Sequence, residues 1–299
     1  MPEGLITKAL SGYYYVRDGE RLVQCRARGI FKKRGESPLV GDRVEYSLTD
    51  NGEGTVDRIE PRHSELIRPP IANADLAVLV FSVIRPELSL SLLDKFLVHV
   101  EHARMDALIV LSKMDRIPED EDGERIREDV EAARKLYASL GYRVLVTSAH
   151  KGDGIDELRS ALAGHINVFA GQSGVGKSSL LNALVPGLTL ETNEISDKLG
   201  RGKHTTRHVE LVALPDGGYL ADTPGFSQLD FAELGIDQIG DCFREFKELS
   251  SGCKFRGCTH IHEPSCAVLE AKEQGKIADS RYENYLGFMA EWKEKRRRY

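Results

Sequence analysis

Residues 171–178 read GQSGVGKS, a run that fits G-x-x-x-x-G-K-S and leaves few architectures open. Gly171, Gly174 and Gly176 let consecutive backbone N–H groups turn inward around phosphate oxygens. Lys177 brings a positive charge to the terminal phosphates, and Ser178 offers a hydroxyl to a magnesium ion that bridges them. Gln172, Ser173, Val175 and Ser179 complete the cradle. Such a loop works only between a buried strand and a helix whose N-terminus faces the anion. Both neighbours are legible, as an apolar strand over 166–170 and a helix over 178–184.

Periodicity places this unit in a larger α/β frame. The apolar run at 76–83 reads as a buried strand, 107–111 as a second strand and 143–147 as a further one, while Leu93, Phe96, Leu97 and Val100 recur at i, i+3, i+4, i+7 as one helix face. With a further helix over 155–163, the pattern predicts a mainly parallel sheet. Before it, strand candidates at 12–16, 22–26, 42–48 and 54–59 are cut by turn signals. Five short strands in about 65 residues fit an oligonucleotide-binding type of barrel. Tyr13, Tyr14, Tyr15 and Phe31 suit either the binding face of such a barrel or its core. After Phe226 the strand signal gives way to a charged, cysteine-bearing and then helical stretch, with Tyr282, Tyr285, Leu286 and Met289 on one face. The 299 residues therefore divide into an expected barrel over 1–68, an α/β domain over 69–230 and a mainly helical unit over 231–299, with 68–70 read as a linker.

Two segments choose the base and a third closes the site. Asp222-Thr-Pro-Gly225 follows an apolar strand and resembles the D-x-x-G switch of GTPases, where the aspartate holds Mg²⁺ and the glycine N–H senses the γ-phosphate. Ser112-Lys113-Met114-Asp115 follows the 107–111 strand and resembles N-K-x-D, in which one carboxylate takes both the N1–H and N2–H₂ of guanine. Serine replaces the usual asparagine there. Thr147-Ser148-Ala149 resembles the loop whose backbone N–H meets guanine O6. Here the base motifs precede the phosphate loop, the reverse of the ordinary order, which marks a circular permutation. Between phosphate loop and switch lies GRGKHTTR over 200–207, where Thr205 or Thr206 is placed to close over Mg²⁺.

Cys253, Cys258, His260 and Cys266 supply three thiolates and an imidazole, a set suited to a closed tetrahedral zinc site. His262 is an alternative nitrogen ligand, and Cys242 stands too far upstream to join. An odd number of cysteines, five, argues against a disulfide framework. The 41 basic and 47 acidic residues give a net charge of −6, yet residues 119–131 alone net −6, so the rest is balanced. Against that background Arg26, Arg28, Lys32, Lys33 and Arg34, then Lys198, Arg201, Lys203 and Arg207, then Lys293 and Lys295–Arg298 form basic clusters, each either a solvated face or a nucleic-acid contact. The longest apolar run, 76–81, is far below the ~20 residues of a membrane helix. The opening MPEGLITKAL lacks a leader's pattern, so no membrane and a cytoplasmic location are expected.

Taken together, the permuted order, GQSGVGKSS, GRGKHTTR, DTPGF and CKFRGCTHIHEPSC resemble the bacterial ribosome small-subunit-dependent GTPase A family along essentially the whole chain. The resemblance implies a circularly permuted P-loop GTPase between an oligonucleotide-binding barrel and a C-terminal zinc domain. It implies late maturation of the 30S ribosomal subunit, with 16S rRNA and GTP or GDP as partners and hydrolysis stimulated by the subunit. A monomer with one structural Zn²⁺ and a Mg²⁺ held by Ser178, Thr206 and Asp222 is expected. Phe226 occupies the place where many GTPases carry a water-orienting glutamine, so slow intrinsic turnover is expected and His204 becomes the candidate catalytic residue beside Lys177, Thr205 and Thr206. The competing reading is a GTP-gated switch acting on another structured RNA.

Overall fold

The computed structural model describes residues 1–50, 52–66, 70–185, 209–222, 231 and 236–297. Its first unit is built from β1 (Glu3–Leu10), β2 (Tyr13–Asp18), β3 (Arg21–Ala27), β4 (Arg43–Leu48) and β5 (Gly54–Ile59), with the short helix α1 (Gly29–Arg34) between β3 and β4. The strands pair in the order β1-β2-β3-β5-β4, and β4 returns to β1, so the sheet closes on itself. This is the five-stranded barrel expected of the sequence, although β1 carried too little alternation to be placed there. Ile6, Val16, Cys25, Val44 and Val56 fill its interior at 0% exposure. Phe31, a candidate for the binding face, is instead buried in that core. The lysines and arginine of its helix, Lys32, Lys33 and Arg34, stand exposed.

A two-strand ladder of β6 (Glu65–Leu66) and β7 (Ile71–Ala72) joins the barrel to the next unit. Asn73 accepts from His63 N–H at 3.0 Å and donates to the Gly41 carbonyl at 3.0 Å, stapling this connection to the barrel. The second unit contains β8 (Leu76–Ser82), α2 (Leu90–His102), β9 (Asp106–Ser112), α3 (Glu121–Ser139), β10 (Arg143–Val146), α4 (Ile155–Leu162), β11 (Ile166–Ala170), α5 (Lys177–Leu184), β12 (Glu210–Ala213) and β13 (Tyr219–Asp222). Its strands lie in the order β10-β9-β8-β11-β13-β12, all parallel except β12. Side chains alternate between two cores: Leu79, Phe81, Ile109 and Leu111 pack with α2 and α3, and Val78, Val80, Leu108 and Val110 with α4 and α5. Burial on both faces explains why these strands read as continuous apolar runs. β12 pairs with β1, where Lys8 meets Glu210 at 2.7 Å, so barrel and parallel strands form one eleven-stranded sheet. The acidic run opens α3, with Asp120 accepting from Gly123 N–H at 3.0 Å, and acids at a helix N-terminus suit the helix dipole.

α6 (Ile236–Asp241), α7 (Arg244–Ser250), α8 (Ala267–Glu273) and α9 (Asp279–Arg297) gather around a second core that includes Phe243, Phe246, Tyr285 and Met289. None of the described helices is long and apolar enough to cross a membrane. This unit grips α2. Arg281, 1% exposed, donates to Asp94 Oδ1 at 2.6 Å and to both oxygens of Glu245 at 2.7 and 3.0 Å. Asp94 also accepts from Tyr137 Oη and Asn284 Nδ2, each at 2.6 Å. A second tie runs from Arg244 to Glu101 at 2.6 Å, and a third from Lys95 to Glu291 at 2.8 Å. Removing one partner of a buried ion pair strands the other in low dielectric, which costs ~3–5 kcal/mol. Arg281→Ala is expected to lower unfolding stability by about 3 kcal/mol or more; a urea midpoint close to that of the parent would contradict this.

Candidate functional site

The functional candidates meet at the C-terminal ends of the parallel strands, the edge where open α/β sheets bind ligands. β11 ends at Ala170, and the chain turns through Gly171 at φ +142°. A Cβ there would lie 2.2 Å from the Val80 carbonyl oxygen, so only glycine lets the loop seat against β8. Gly176, at φ +98°, caps α5, and Val175 is buried beneath the loop. Gln172, Ser173 and Gly174 are exposed along its rim, while Ser179 is half-buried in the first turn of α5. The Lys177 ammonium donates to the carbonyls of Gly171 at 2.7 Å and Gln172 at 2.6 Å. Burial pulls its pKa down to about 8. Ser178 Oγ is buried with no hydrogen-bond partner among the described residues, an orphaned oxygen at a helix N-terminus that suits a magnesium ligand.

β9 and β10 deliver the base-reading candidates. Lys113, at φ +64°, breaks away from β9, and a 3₁₀ turn over Met114–Arg116 presents Asp115. Ser148 Oγ donates to Asp115 Oδ1 at 2.7 Å and holds the carboxyl below its ordinary range against the opposing effect of burial, with help from His150 and Arg116. Met114 N–H donates to the Thr147 carbonyl at 3.2 Å, so the two base loops are bonded to each other. The Ser148 N–H is already donated to Asp153, which leaves the Ala149 N–H as the available donor of that pair. The Lys113 ammonium lies against the carbonyls of Gly174 at 2.5 Å and Arg85 at 2.6 Å. β13 brings the backbone of Asp222 to the same edge. His204, Thr205, Thr206, Gly225 and Phe226 lie outside the described residues, as do Lys198, Arg201, Lys203 and Arg207.

The fourteen residues Cys253–Cys266 fold so that the four candidate ligand atoms of Cys253, Cys258, His260 and Cys266 lie within 4.8 Å of one another. Cys253 Sγ stands 3.8 Å from Cys266 Sγ and 3.7 Å from His260 Nδ1, and His260 Nδ1 stands 3.3 Å from Cys266 Sγ. Tetrahedral coordination with Zn–S near 2.3 Å and Zn–N near 2.0 Å gives edges of about 3.5–3.8 Å, and the three separations among Cys253, His260 and Cys266 fall within about 0.2 Å of that range, so the donor set suits such an ion. Exposed His262 is not in the group, and Cys242 is buried in the helical core. Burial pulls His260 toward the neutral imidazole that ligation needs, and pushes the Cys258 thiol up to about 12, so a bound cation would have to drive its deprotonation.

Glu263 was not singled out from sequence, yet it shapes this loop. Its carboxylate accepts from the Thr259 hydroxyl at 2.5 Å and from the N–H groups of Thr259 at 2.9 Å and Ile261 at 3.0 Å. Burial opposes its ionisation, but these donors outweigh burial and hold the carboxyl far below its usual range. His260 sits at φ +53° inside that wrapped turn, and Tyr282 and Tyr285 donate to the His260 and Thr259 carbonyls. An E-P pair just before the last ligand cysteine, with Glu263 three residues ahead of Cys266, was the available signal, and it has meaning only once the turn is seen.

Strand order, phosphate loop and base-reading loops define a P-loop GTPase whose chain is circularly permuted, set between a closed barrel and a Cys₃His unit. The fold is shared with the crystal structure of YloQ, a circularly permuted GTPase, at a TM-score of 0.83 and 43% identity, covering 99% of this chain and 96% of that one. YjeQ from Thermotoga maritima superposes with a TM-score of 0.84 at 38% identity over 97% of this chain and 98% of that one. With the RsgA GTPase model matching residues 59–232 and the RsgA N-terminal domain model residues 3–56, the chain belongs to the RsgA GTPase family. It is 52% identical over 299 residues, the full length of both chains, to the small ribosomal subunit biogenesis GTPase RsgA of Bacillus anthracis. The protein of the same name from Geobacillus kaustophilus is likewise 52% identical over the full length.

The charge on Lys177 gives the phosphate loop a pH signature. A polyphosphate attracts the ammonium and not the amine, so affinity is full below the lysine's pKa and falls as pH rises through it. With that pKa near 8, GDP affinity is expected to fall by roughly tenfold between pH 7 and pH 9. Calorimetric titration across that range checks it; Lys177→Arg, which keeps its charge, should flatten the profile.

Proposed function

We propose that this GTPase acts in late maturation of the 30S ribosomal subunit, with 16S rRNA as its RNA partner and hydrolysis stimulated by the subunit. The reading is carried by the full-length similarity to small ribosomal subunit biogenesis GTPases. In this assignment Gly171, Gln172, Ser173, Gly174, Val175, Gly176, Ser178 and Ser179 wrap the phosphates, and Lys177 neutralises the charge that develops on them. Lys113, Met114 and Asp115, with Ser148 and Ala149, take the guanine; Ser112 stands behind them. Ser178, Thr206 and Asp222 are assigned to Mg²⁺, which supplies charge stabilisation between the β- and γ-phosphates when bound. Gly225 is assigned to the γ-phosphate, with Thr205 beside Thr206 in the switch and His204 orienting the attacking water. Division at 68/69 and 230/231, a monomeric state and a cytoplasmic location belong to the same proposal.

RNA contact is assigned to both flanks of the GTPase core. Arg26, Arg28, Lys32, Lys33 and Arg34 are exposed on the barrel, with the Arg26 guanidinium bonded to the Tyr13 hydroxyl and stacked over its ring. The hydrolysis rate of the full chain, measured with and without purified 30S subunits at several salt concentrations, tests the function. Stimulation that is lost as salt rises supports it, whereas equal stimulation by any structured RNA favours the switch on another RNA. His204→Ala is expected to remove most of the 30S-stimulated rate and leave GDP affinity within about twofold; full stimulation in that variant would move the role elsewhere.

The Cys253, Cys258, His260 and Cys266 group is assigned to one structural zinc ion, since four protein ligands leave no open position. Elemental analysis is expected to find one zinc per chain. Cys258→Ala should lose the metal and expose amides of α7 to α9 to hydrogen exchange, while nucleotide binding persists in its separate core. Metal-free protein with unchanged exchange would contradict this.

A further inference from the structure

Ser112 stands where guanine-binding loops of this kind carry asparagine, and its surroundings show what the smaller side chain does. It is the last residue of β9, 3% exposed, and faces Ser82 across the β8 pairing. Its Oγ donates to the Val175 carbonyl in the phosphate loop at 2.6 Å; the Phe81 carbonyl, 3.2 Å away, is a second acceptor. Gly176, the cap of α5, passes so close that a Cβ on it would lie 3.8 Å from the same oxygen. The hydroxyl is thus wedged between two strand ends and the loop, with only carbonyl oxygens as partners.

Proton counting then decides its role. An asparagine amide carries two N–H donors, enough to serve a loop carbonyl and still offer a second donor toward the base. A serine hydroxyl carries one, and Val175 takes it. Guanine offers N1–H and N2–H₂ to Asp115 and its O6 acceptor to the Ala149 N–H, and the acceptor left over beside O6 is N7. The nearby Lys113 ammonium is held on the carbonyls of Gly174 and Arg85.

We infer that Ser112 is a positioning residue that ties the phosphate loop to the base-reading strand and leaves guanine N7 without a donor among the described residues. Guanine is then selected through its N1, N2 and O6 edge alone. Loop position and base selection are coupled through one hydroxyl, because Asp115 lies three residues beyond Ser112 and is clamped by Ser148.

This inference rests on the proposed guanine reading by Asp115, and the experiment separates the two. Affinities of the full chain with Mg²⁺ are measured for GDP, 7-deaza-GDP, IDP and ADP. GDP and 7-deaza-GDP are expected to agree within about twofold, while IDP, lacking the 2-amino group, binds at least roughly tenfold more weakly. Ser112→Ala should weaken GDP and 7-deaza-GDP by the same factor, roughly fivefold, and Ser112→Thr should restore both. Equal losses for the two ligands at an unchanged urea midpoint, with rescue by Ser112→Thr, separate positioning of the loop from a merely structural role. A tenfold preference of the parent protein for GDP over 7-deaza-GDP, with ADP still rejected, overturns the inference and leaves the guanine reading standing. Unchanged GDP affinity in Ser112→Ala overturns the positioning role. ADP binding as tightly as GDP defeats the guanine reading and this inference with it.

Discussion

The seat of the phosphate loop on the ends of β8 and β9 is the contact on which the site depends. At Gly171 there is no room for a side chain against the Val80 carbonyl, and Ser112 holds Val175 by one hydrogen bond. Neither contact depends on which strand comes first in the chain. β8 and β11 are neighbours through parallel pairing of Leu76–Leu79 with Asn167–Ala170, whatever connection joins them. A loop whose position is fixed by lateral contacts tolerates rearranged connectivity, and this is why the order of motifs could be permuted while their geometry was kept.

Much of that site was legible because its determinants are local. A phosphate loop needs glycines at fixed offsets, a strand before and a helix after, all within one short window, and the structure differs by one residue at the start of α5. The four metal-ligating candidates are equally local, and choosing His260 over His262 took only the turn imposed by Glu263. Burial on both sheet faces made β8 and β9 visible as apolar runs.

What was not legible depends on partners distant in sequence. β1 has a mixed pattern because it serves the barrel with β2 and β4 and also borders β12, whose pairing partner lies some 200 residues away. Phe31 sits in a basic stretch that left binding face and core both open, and α1 turns that one side chain inward while its lysines point out. Asp94 lies on the buried side of α2 as an isolated acid, which made no sense as a helix-face residue until Arg281 arrived from 187 positions downstream. A buried charge is affordable only when paired, and the sequence alone does not say with whom.

That distant pairing bears on how nucleotide state could reach the C-terminal unit. Asp222 ends β13 at the nucleotide edge, and nine residues later Phe231 is fully buried against α2 and α9. Its ring stacks on His99 at 5.3 Å and meets Phe288 at 5.2 Å, while the Lys95 ammonium lies 4.9 Å from its centre. Asp222 thus lies on the central sheet and Phe231 against the joint that Asp94 and Arg281 hold together. α2 also follows directly from the loop carrying Arg85, whose carbonyl accepts from Lys113 of the base-reading motif. Phe231 and the Arg85 loop thus both abut the same helix, α2. A packed joint of this kind responds as a unit, since its buried ions keep their partners only if the helices that carry them move together.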